Sequence, residues 1–151
     1  MDWFNYIGLC IMIVILIPNI AYSIICREEF INRYHNRFME ILEQIGRFGC
    51  FGLMVINIPY TYLNFWFDDG LFVYIIVNSL LVFIYVLGWI FCWNKRILLR
   101  AYLLSIIPSM IFLFSGIMIR NIPLIISSIA FAIAHITISL KNAFIKKGDF
   151  S

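Results

Sequence analysis

Charged residues are scarce in this chain. Asp, Glu, Lys and Arg make up 13% of the 151 residues, apolar residues make up 64%, and the mean hydropathy is +0.98. Soluble domains are about 25% charged and about 45–50% apolar. A soluble protein of this composition would lack the polar surface that water requires. The composition therefore excludes an ordinary soluble domain and predicts that lipid surrounds most of the chain.

Recognisable catalytic and metal-binding motifs are also missing. The chain has four cysteines but no C-x-x-C pair, and it contains no H-E-x-x-H sequence. All carboxylates fall outside the spans predicted below or at their ends, which argues against a carrier that uses an intramembrane acid. We therefore expect a non-enzymatic protein without catalytic residues, cofactor or metal. The net charge of +3 is too small to indicate a nucleic-acid partner.

Long apolar segments fill almost the whole sequence. A helix needs about 20 apolar residues to cross the hydrocarbon core of a bilayer. The segments predict an all-α fold, a polytopic bundle of about five transmembrane helices that forms a single domain over residues 1–151. The expected spans are residues 3–26, 46–67, 71–93, 97–119 and 122–144.

The longest polar stretch, residues 27–45, separates the first two predicted spans. It carries an apolar stripe at helical spacing, formed by Phe30, Tyr34, Phe38, Ile41 and Ile45. This periodicity predicts an amphipathic helix on the cytoplasmic side that lies along the membrane surface. The chain would then turn into the second span.

The positions of the basic residues predict the orientation. With five spans, ten of the eleven Lys and Arg residues fall on one side of the membrane, and Arg120 falls alone on the other. Lys and Arg are enriched in cytoplasmic connections. We therefore expect the N-terminus outside and the C-terminus in the cytoplasm.

Neutral polar residues inside the predicted spans form the candidate site. Asn57 and Asn78 are expected near the midplane, where they could hydrogen-bond to each other. His135 is the one titratable group well inside a predicted span. The candidates are Asn57, Asn78, Ser105, Ser109, His135 and Ser139. Ser105, Ser109, His135 and Ser139, on the fourth and fifth predicted spans, either hold these two helices together or form a polar pocket around His135.

Three stretches of the chain, residues 42–59, 105–118 and 134–143, resemble parts of small five-span proteins of bacterial plasma membranes. Those proteins are uncharacterised, so the resemblance implies no activity. It implies a multi-pass protein of a bacterial plasma membrane.

Three functions are compatible with these features. The first is a non-catalytic membrane component, accessory or regulatory, that packs against a membrane-protein partner or against copies of itself. The second is a small oligomeric transporter or channel with a polar site around His135. The third is a lipid-modifying enzyme with His135 or His35 as its acid–base group. Membrane lipid is an expected partner in each case.

Overall fold

Five α-helices account for most of the computed structural model, which describes residues 3–26, 32–92 and 97–148. They are α1 (Tyr6–Ile25), α2 (Arg37–Val55), α3 (Gly70–Cys92), α4 (Ile97–Ile119) and α5 (Ile122–Gly148). By length and composition, α1, α3, α4 and α5 could each cross a membrane. For the described residues the prediction of an all-α fold is therefore confirmed, and four of the five helices are long and apolar enough to span a membrane.

Asparagine side chains determine where three of the helices begin. Asn5 precedes α1, Asn36 precedes α2 and Asn121 precedes α5, and each side-chain oxygen accepts a hydrogen bond from the backbone N–H three residues later. These N–H groups have no partner within their own helix. Asparagine is among the preferred residues at this position because its side chain satisfies one of them.

Helix α2 differs from the prediction in its boundaries. The predicted amphipathic helix over residues 27–45 and the predicted span over residues 46–67 are replaced by an extended segment, residues 32–36, and one continuous helix that ends at Val55. Residues 27–31 lie outside the described part of the chain. The helix ends early because Pro59 disfavours helical backbone just before it and because Ile56 pairs with Phe4.

The two faces of α2 are arranged opposite to those of an amphipathic helix in a soluble protein. Its inward face carries Glu43, Gly46, Cys50 and Met54, all buried. Its outward face is apolar, with exposed side chains at Phe38, Ile41, Ile45 and Phe48. In water the apolar face of a helix turns towards the core. The observed arrangement is favourable where hydrocarbon surrounds the bundle.

Contacts between the helices close a ring. Helix α1 lies beside α3, α3 beside α4, α4 beside α5, α5 beside α2, and α2 again beside α1. The pairs α4–α5 and α2–α5 have the most extensive contacts, and α1 is the least closely packed member. The helices α4 and α5, and α2 and α5, therefore pack closely over much of their length, whereas α1 packs less extensively on its neighbours.

At one end of the ring, backbone hydrogen-bonded pairs join three separate parts of the chain. Phe4 pairs with Ile56, and Tyr62 pairs with Asn121, so the N-terminus, the 56–69 loop and the α4–α5 turn meet there. The guanidinium of Arg120 donates hydrogen bonds to three consecutive carbonyls of the loop. This end, called the capped end below, satisfies the backbone groups that the irregular loop would otherwise leave unpaired.

The close approach of α2 to α5 provides a test of the packing. A Cβ added at Gly46 would lie 2.6 Å from the backbone nitrogen of Phe131, whereas one added at Gly52 would meet nothing within 4 Å. Gly46→Ala should destabilise the purified protein by about 1–3 kcal/mol, the usual cost of overpacking. Gly52→Ala should be neutral or stabilise by up to about 1 kcal/mol, because alanine favours helix.

Thermal unfolding of both variants in the same detergent measures this difference. Equal melting temperatures for the two variants would contradict the close α2–α5 contact.

Candidate functional site

A cavity of about 990 Å³ occupies the end of the ring opposite the capped end, and side chains from all five helices line it. Of the residues predicted for the site, Ser105, His135 and Ser139 line this cavity. Asn57, Asn78 and Ser109 are buried elsewhere in the bundle. The structure thus brings together three of the six predicted residues in one site.

The most polar part of the cavity wall is a cluster of three side chains from α2 and α5. Glu43 is 7% exposed, and its Oε1 accepts a hydrogen bond from Arg47. The same oxygen lies 2.7 Å from Nδ1 of His135. Glu43 and Arg47 are one turn apart on the inward face of α2, and His135 faces them from α5. We call this group the Glu43–Arg47–His135 cluster.

The cluster compensates the charge of the buried Glu43 carboxylate. A buried carboxylate costs several kcal/mol unless a charged or hydrogen-bonding partner compensates it. Arg47 supplies the opposite charge, and the imidazole of His135 supplies a second polar contact to the same oxygen. The cluster therefore ties α2 to α5 with its charge compensated inside the protein.

His135 is held in a defined orientation. Its ring stacks on Phe131, one turn earlier in α5, with centroids 4.6 Å apart and planes 16° apart. Its Nδ1 faces Glu43, so the second ring nitrogen, Nε2, remains for another contact. Among the described residues no hydrogen bond to Nε2 is found. A carboxylate-oriented histidine that lines a cavity can bind a polar group of a ligand or exchange a proton with it.

The opposite wall joins α1, α3 and α4 through aromatic and amide side chains. Asn19 donates a hydrogen bond to the hydroxyl of Tyr85 at 2.7 Å. Tyr22 packs against Trp89, with ring centroids 4.9 Å apart, and the guanidinium carbon of Arg100 lies 4.8 Å from the Tyr22 ring centroid. This wall offers both flat apolar surface and polar atoms to an occupant.

The extended segment 32–36 crosses the end of the bundle opposite the capped end, called the basic end below. The side-chain amide of Asn142 holds it there. The side-chain oxygen of Asn142 accepts hydrogen bonds from the backbone N–H groups of Arg33 and Tyr34, both at 2.8 Å. Its side-chain nitrogen donates to Asn32, which in turn donates to Glu40. The segment is thereby fastened to the last turns of α5, beside the cavity.

The predicted residues outside the cavity have local roles. Asn57 lies beyond the end of α2, where its backbone N–H donates to Trp3. Asn78 donates to the carbonyl of Tyr74 and accepts a hydrogen bond from Ser115 at 3.3 Å. Ser109, like the cavity residue Ser105, donates to a carbonyl of its own helix, α4.

Sequence reasoning missed the carboxylate of the site. Glu43 belongs to the stretch 27–45 that we predicted to lie on the membrane surface, outside the spans, whereas the structure buries it inside the bundle. Arg47 belongs to the start of the predicted span 46–67. A usable signal was present. Glu43, Gly46, Arg47 and Cys50 repeat at helical spacing, opposite the apolar stripe, so one face of the helix could be recognised as inward and polar.

Removal of the Glu43 charge tests the cluster. Glu43→Gln leaves Arg47 without its counter-charge and should destabilise the protein by about 3 kcal/mol, as breaking one partner of a buried pair does. Glu40→Gln is the matched control, since Glu40 lies one turn earlier on α2 with its side chain 40% exposed. Its effect should stay within about 0.5 kcal/mol.

Unfolding of the purified protein by a denaturing detergent, followed by tryptophan fluorescence, measures both variants. The double variant Glu43→Gln/Arg47→Gln should recover part of the loss. A Glu43→Gln protein as stable as Glu40→Gln would show that the cluster does not hold α2 to α5.

No protein-family model, curated protein or solved structure matches the chain. The chemistry of the site therefore follows from its own side chains. Within residues 3–26, 32–92 and 97–148, no group of three His, Cys, Asp or Glu side chains is placed to hold a metal ion. What the described residues do offer is a charge-compensated cluster, an oriented imidazole and an aromatic wall around one cavity.

Proposed function

We propose that the protein is a five-span protein of a bacterial plasma membrane that binds a small molecule in its cavity, as a small transporter does. The cavity would face the cytoplasm, with the N-terminus outside and the C-terminus inside. The observation that carries this proposal is the Glu43–Arg47–His135 cluster in the wall of a cavity of about 990 Å³.

Two features support membrane placement of all five helices. Four helices have the length and composition of a span, and α2 presents apolar side chains outward and charged ones inward. That arrangement suits lipid on the outside of α2 as well. With α2 as a span, the capped end and the cavity end lie on opposite sides of the membrane.

The basic residues support the orientation. Among the described residues, Arg33, Arg37, Arg47, Arg100 and Lys141 belong to the half of the ring that holds the cavity, whereas Arg120 belongs to the capped end. Basic residues are enriched on the cytoplasmic side of membrane proteins. The cavity would thus be reached from the cytoplasm or from the cytoplasmic leaflet.

The size and lining of the cavity support ligand binding. Ligand pockets are commonly about 300–1,000 Å³, largely apolar, with a few placed polar groups. A bundle whose only role is helix packing is expected to fill its interior to near crystalline density. All five helices of one chain line the cavity, so binding would not require a second copy.

The cluster supports a transporter over a passive binding protein. Ionisable residues inside membrane proteins are costly and commonly mark substrate or proton pathways. The sequence-based argument against an ion-coupled carrier relied on the lack of an interior acid, and the interior position of Glu43 removes that argument. Proton exchange between Glu43 and His135 could then be coupled to the arrival of a ligand.

The other two functions remain predictions. An accessory protein that packs against a partner or against itself would use the outer faces of the helices. A lipid-modifying enzyme could use the contact between Glu43 and His135 as an acid–base pair, since a carboxylate that orients an imidazole is a common catalytic arrangement.

Topology can be tested by thiol labelling of intact cells. Cysteine introduced at Asp69, in the loop of the capped end, should react with a membrane-impermeant maleimide in a background with the four native cysteines replaced by serine or alanine. Cysteine introduced at Lys141, near the other end, should react after the membrane is permeabilised. The reverse pattern would contradict the orientation, and equal labelling before permeabilisation would contradict the spans.

Ligand occupancy can be tested by native mass spectrometry of protein extracted in mild detergent. We expect one small molecule per chain on the unmodified protein. Ser139→Phe should lose it because the new ring fills the cavity that Ser139 lines. Thr137→Phe, two residues away on α5 and outside the cavity lining, should retain it.

Two results would contradict the proposal. An empty cavity together with a stoichiometric second protein would favour the accessory function. Equal occupancy in the Ser139→Phe and Thr137→Phe proteins would place the bound molecule outside the cavity.

A further inference from the structure

Helices α1 and α2 approach each other closely near the capped end. A Cβ added at Gly8 would overlap the carbonyl oxygen of Met54, and the backbone N–H of Asn5 donates to the carbonyl of Val55 at 2.7 Å. The helices run antiparallel, and both rise about 1.5 Å per residue. The level of Ile20 on α1 therefore corresponds to about residue 42 on α2.

At that level the cavity reaches the outer surface of the bundle. Ile20 of α1 and Ile41 and Ile45 of α2 all line the cavity, yet they are 54%, 51% and 65% exposed. Side chains that belong to both the cavity wall and the outer surface mark an opening between the two helices. We call it the α1–α2 opening and define it by these three isoleucines.

The outward faces beside the opening are largely apolar, and Gln44, an exposed α2 residue that also lines the cavity, adds one polar group at its edge. On either side of it, the outward faces carry the exposed side chains of Ile17 and Ile24 on α1 and of Phe38 and Phe48 on α2. A rim of this composition is unfavourable in water but favourable against acyl chains. The opening therefore faces the hydrocarbon of the bilayer rather than the aqueous phase.

The cavity wall is most apolar nearest the capped end, about one turn beyond the Glu43–Arg47–His135 cluster, and becomes more polar away from it. Nearest the capped end its walls are formed by Ile15, Phe51, Phe112 and Phe131. Nearest the basic end they include Asn32, His35, Glu40, Arg100 and Asn142. A molecule that satisfies both ends has a hydrocarbon part and a polar headgroup, with the headgroup towards the cytoplasmic surface.

We propose that the occupant of the cavity is a lipid of the cytoplasmic leaflet, which reaches it sideways through the α1–α2 opening. This inference rests on the proposed binding function and specifies its ligand class and route. One acyl chain lies against the apolar end of the cavity, and the headgroup lies beside the Glu43–Arg47–His135 cluster and the 32–36 segment. The looser packing of α1 in the ring allows the opening to widen as the lipid passes.

Trp89 provides a reporter inside the cavity, since it lines the cavity and is 5% exposed. In a variant with Trp3, Trp66 and Trp93 replaced by phenylalanine, Trp89 is the sole tryptophan. This protein is placed in phosphatidylglycerol nanodiscs with brominated or ordinary acyl chains. Bromine quenches indole fluorescence at short range, so an acyl chain inside the cavity should reduce Trp89 emission at least twofold relative to ordinary lipid.

The route is tested by narrowing the opening in the same background. Ile20→Phe/Ile45→Phe adds bulk at the opening and should reduce the bromine quenching of Trp89 by half or more. Ile126→Phe/Ile133→Phe adds the same bulk to exposed positions of α5, away from the opening and outside the cavity lining, and it should leave the quenching unchanged. Circular dichroism and melting temperature confirm that both double variants are folded.

The outcomes separate this inference from the proposed function. Quenching that is equal in both double variants would overturn the α1–α2 route. Absence of quenching, together with a water-soluble molecule that is bound in the native mass spectrum and lost in Ser139→Phe, would overturn the lipid and leave the binding function standing. Absence of any cavity ligand by either method would overturn both.

Discussion

The charge of Glu43 has to be compensated inside the bundle, and the positions of α2 and α5 depend on it. An uncompensated carboxylate at that depth would be expelled or would lose its charge. Arg47 on the same helix and His135 on α5 keep it in place. Because α5 also packs closely on α4, this contact connects the polar helix to the most extensively packed pair of the ring. The inward-polar, outward-apolar arrangement of α2 follows from the same requirement.

The two ends of the ring are closed by different kinds of interaction. At the capped end, backbone pairs and the Arg120 guanidinium join three separate parts of the chain. At the cavity end, the closing contacts are made largely by side chains, with Asn142 holding the 32–36 segment. The ring is thus held by backbone pairing at one end and by side-chain hydrogen bonds at the other.

The parts of the fold that could be predicted are those in which composition and turn signals agree. Helix α4 has the predicted bounds of 97–119, and α3 begins one residue before its prediction, because short polar stretches of sequence separate long apolar segments there. The segment 56–67 was predicted as part of a span, yet it forms a loop packed on the end of the bundle. It contains Asn57, Thr61 and Asn64 and is less apolar than α3 or α4, so its lower hydropathy and the proline at position 59 were the available signals.

The site was predictable on α4, through Ser105, and on α5, but not on α2. His135 and Ser139 were recognisable because a polar residue in an apolar span is conspicuous. Glu43 was not, because a charged residue beside other charged residues is expected to face water. Its contact with His135 joins positions 92 residues apart, and neither local periodicity nor composition carries information about such a pair. The three-dimensional closure of the ring is what makes them neighbours.

The chain order of the ring has a consequence for biosynthesis. Helix α2 emerges from the ribosome early, with a glutamate and an arginine on one face, whereas its partner α5 is made last. Until α5 arrives, the Arg47 side chain is the intrahelical compensation for Glu43. During this interval the local ion pair is the contact that compensates the Glu43 charge while α3 and α4 are synthesised. The ring can close only after α5 has been made.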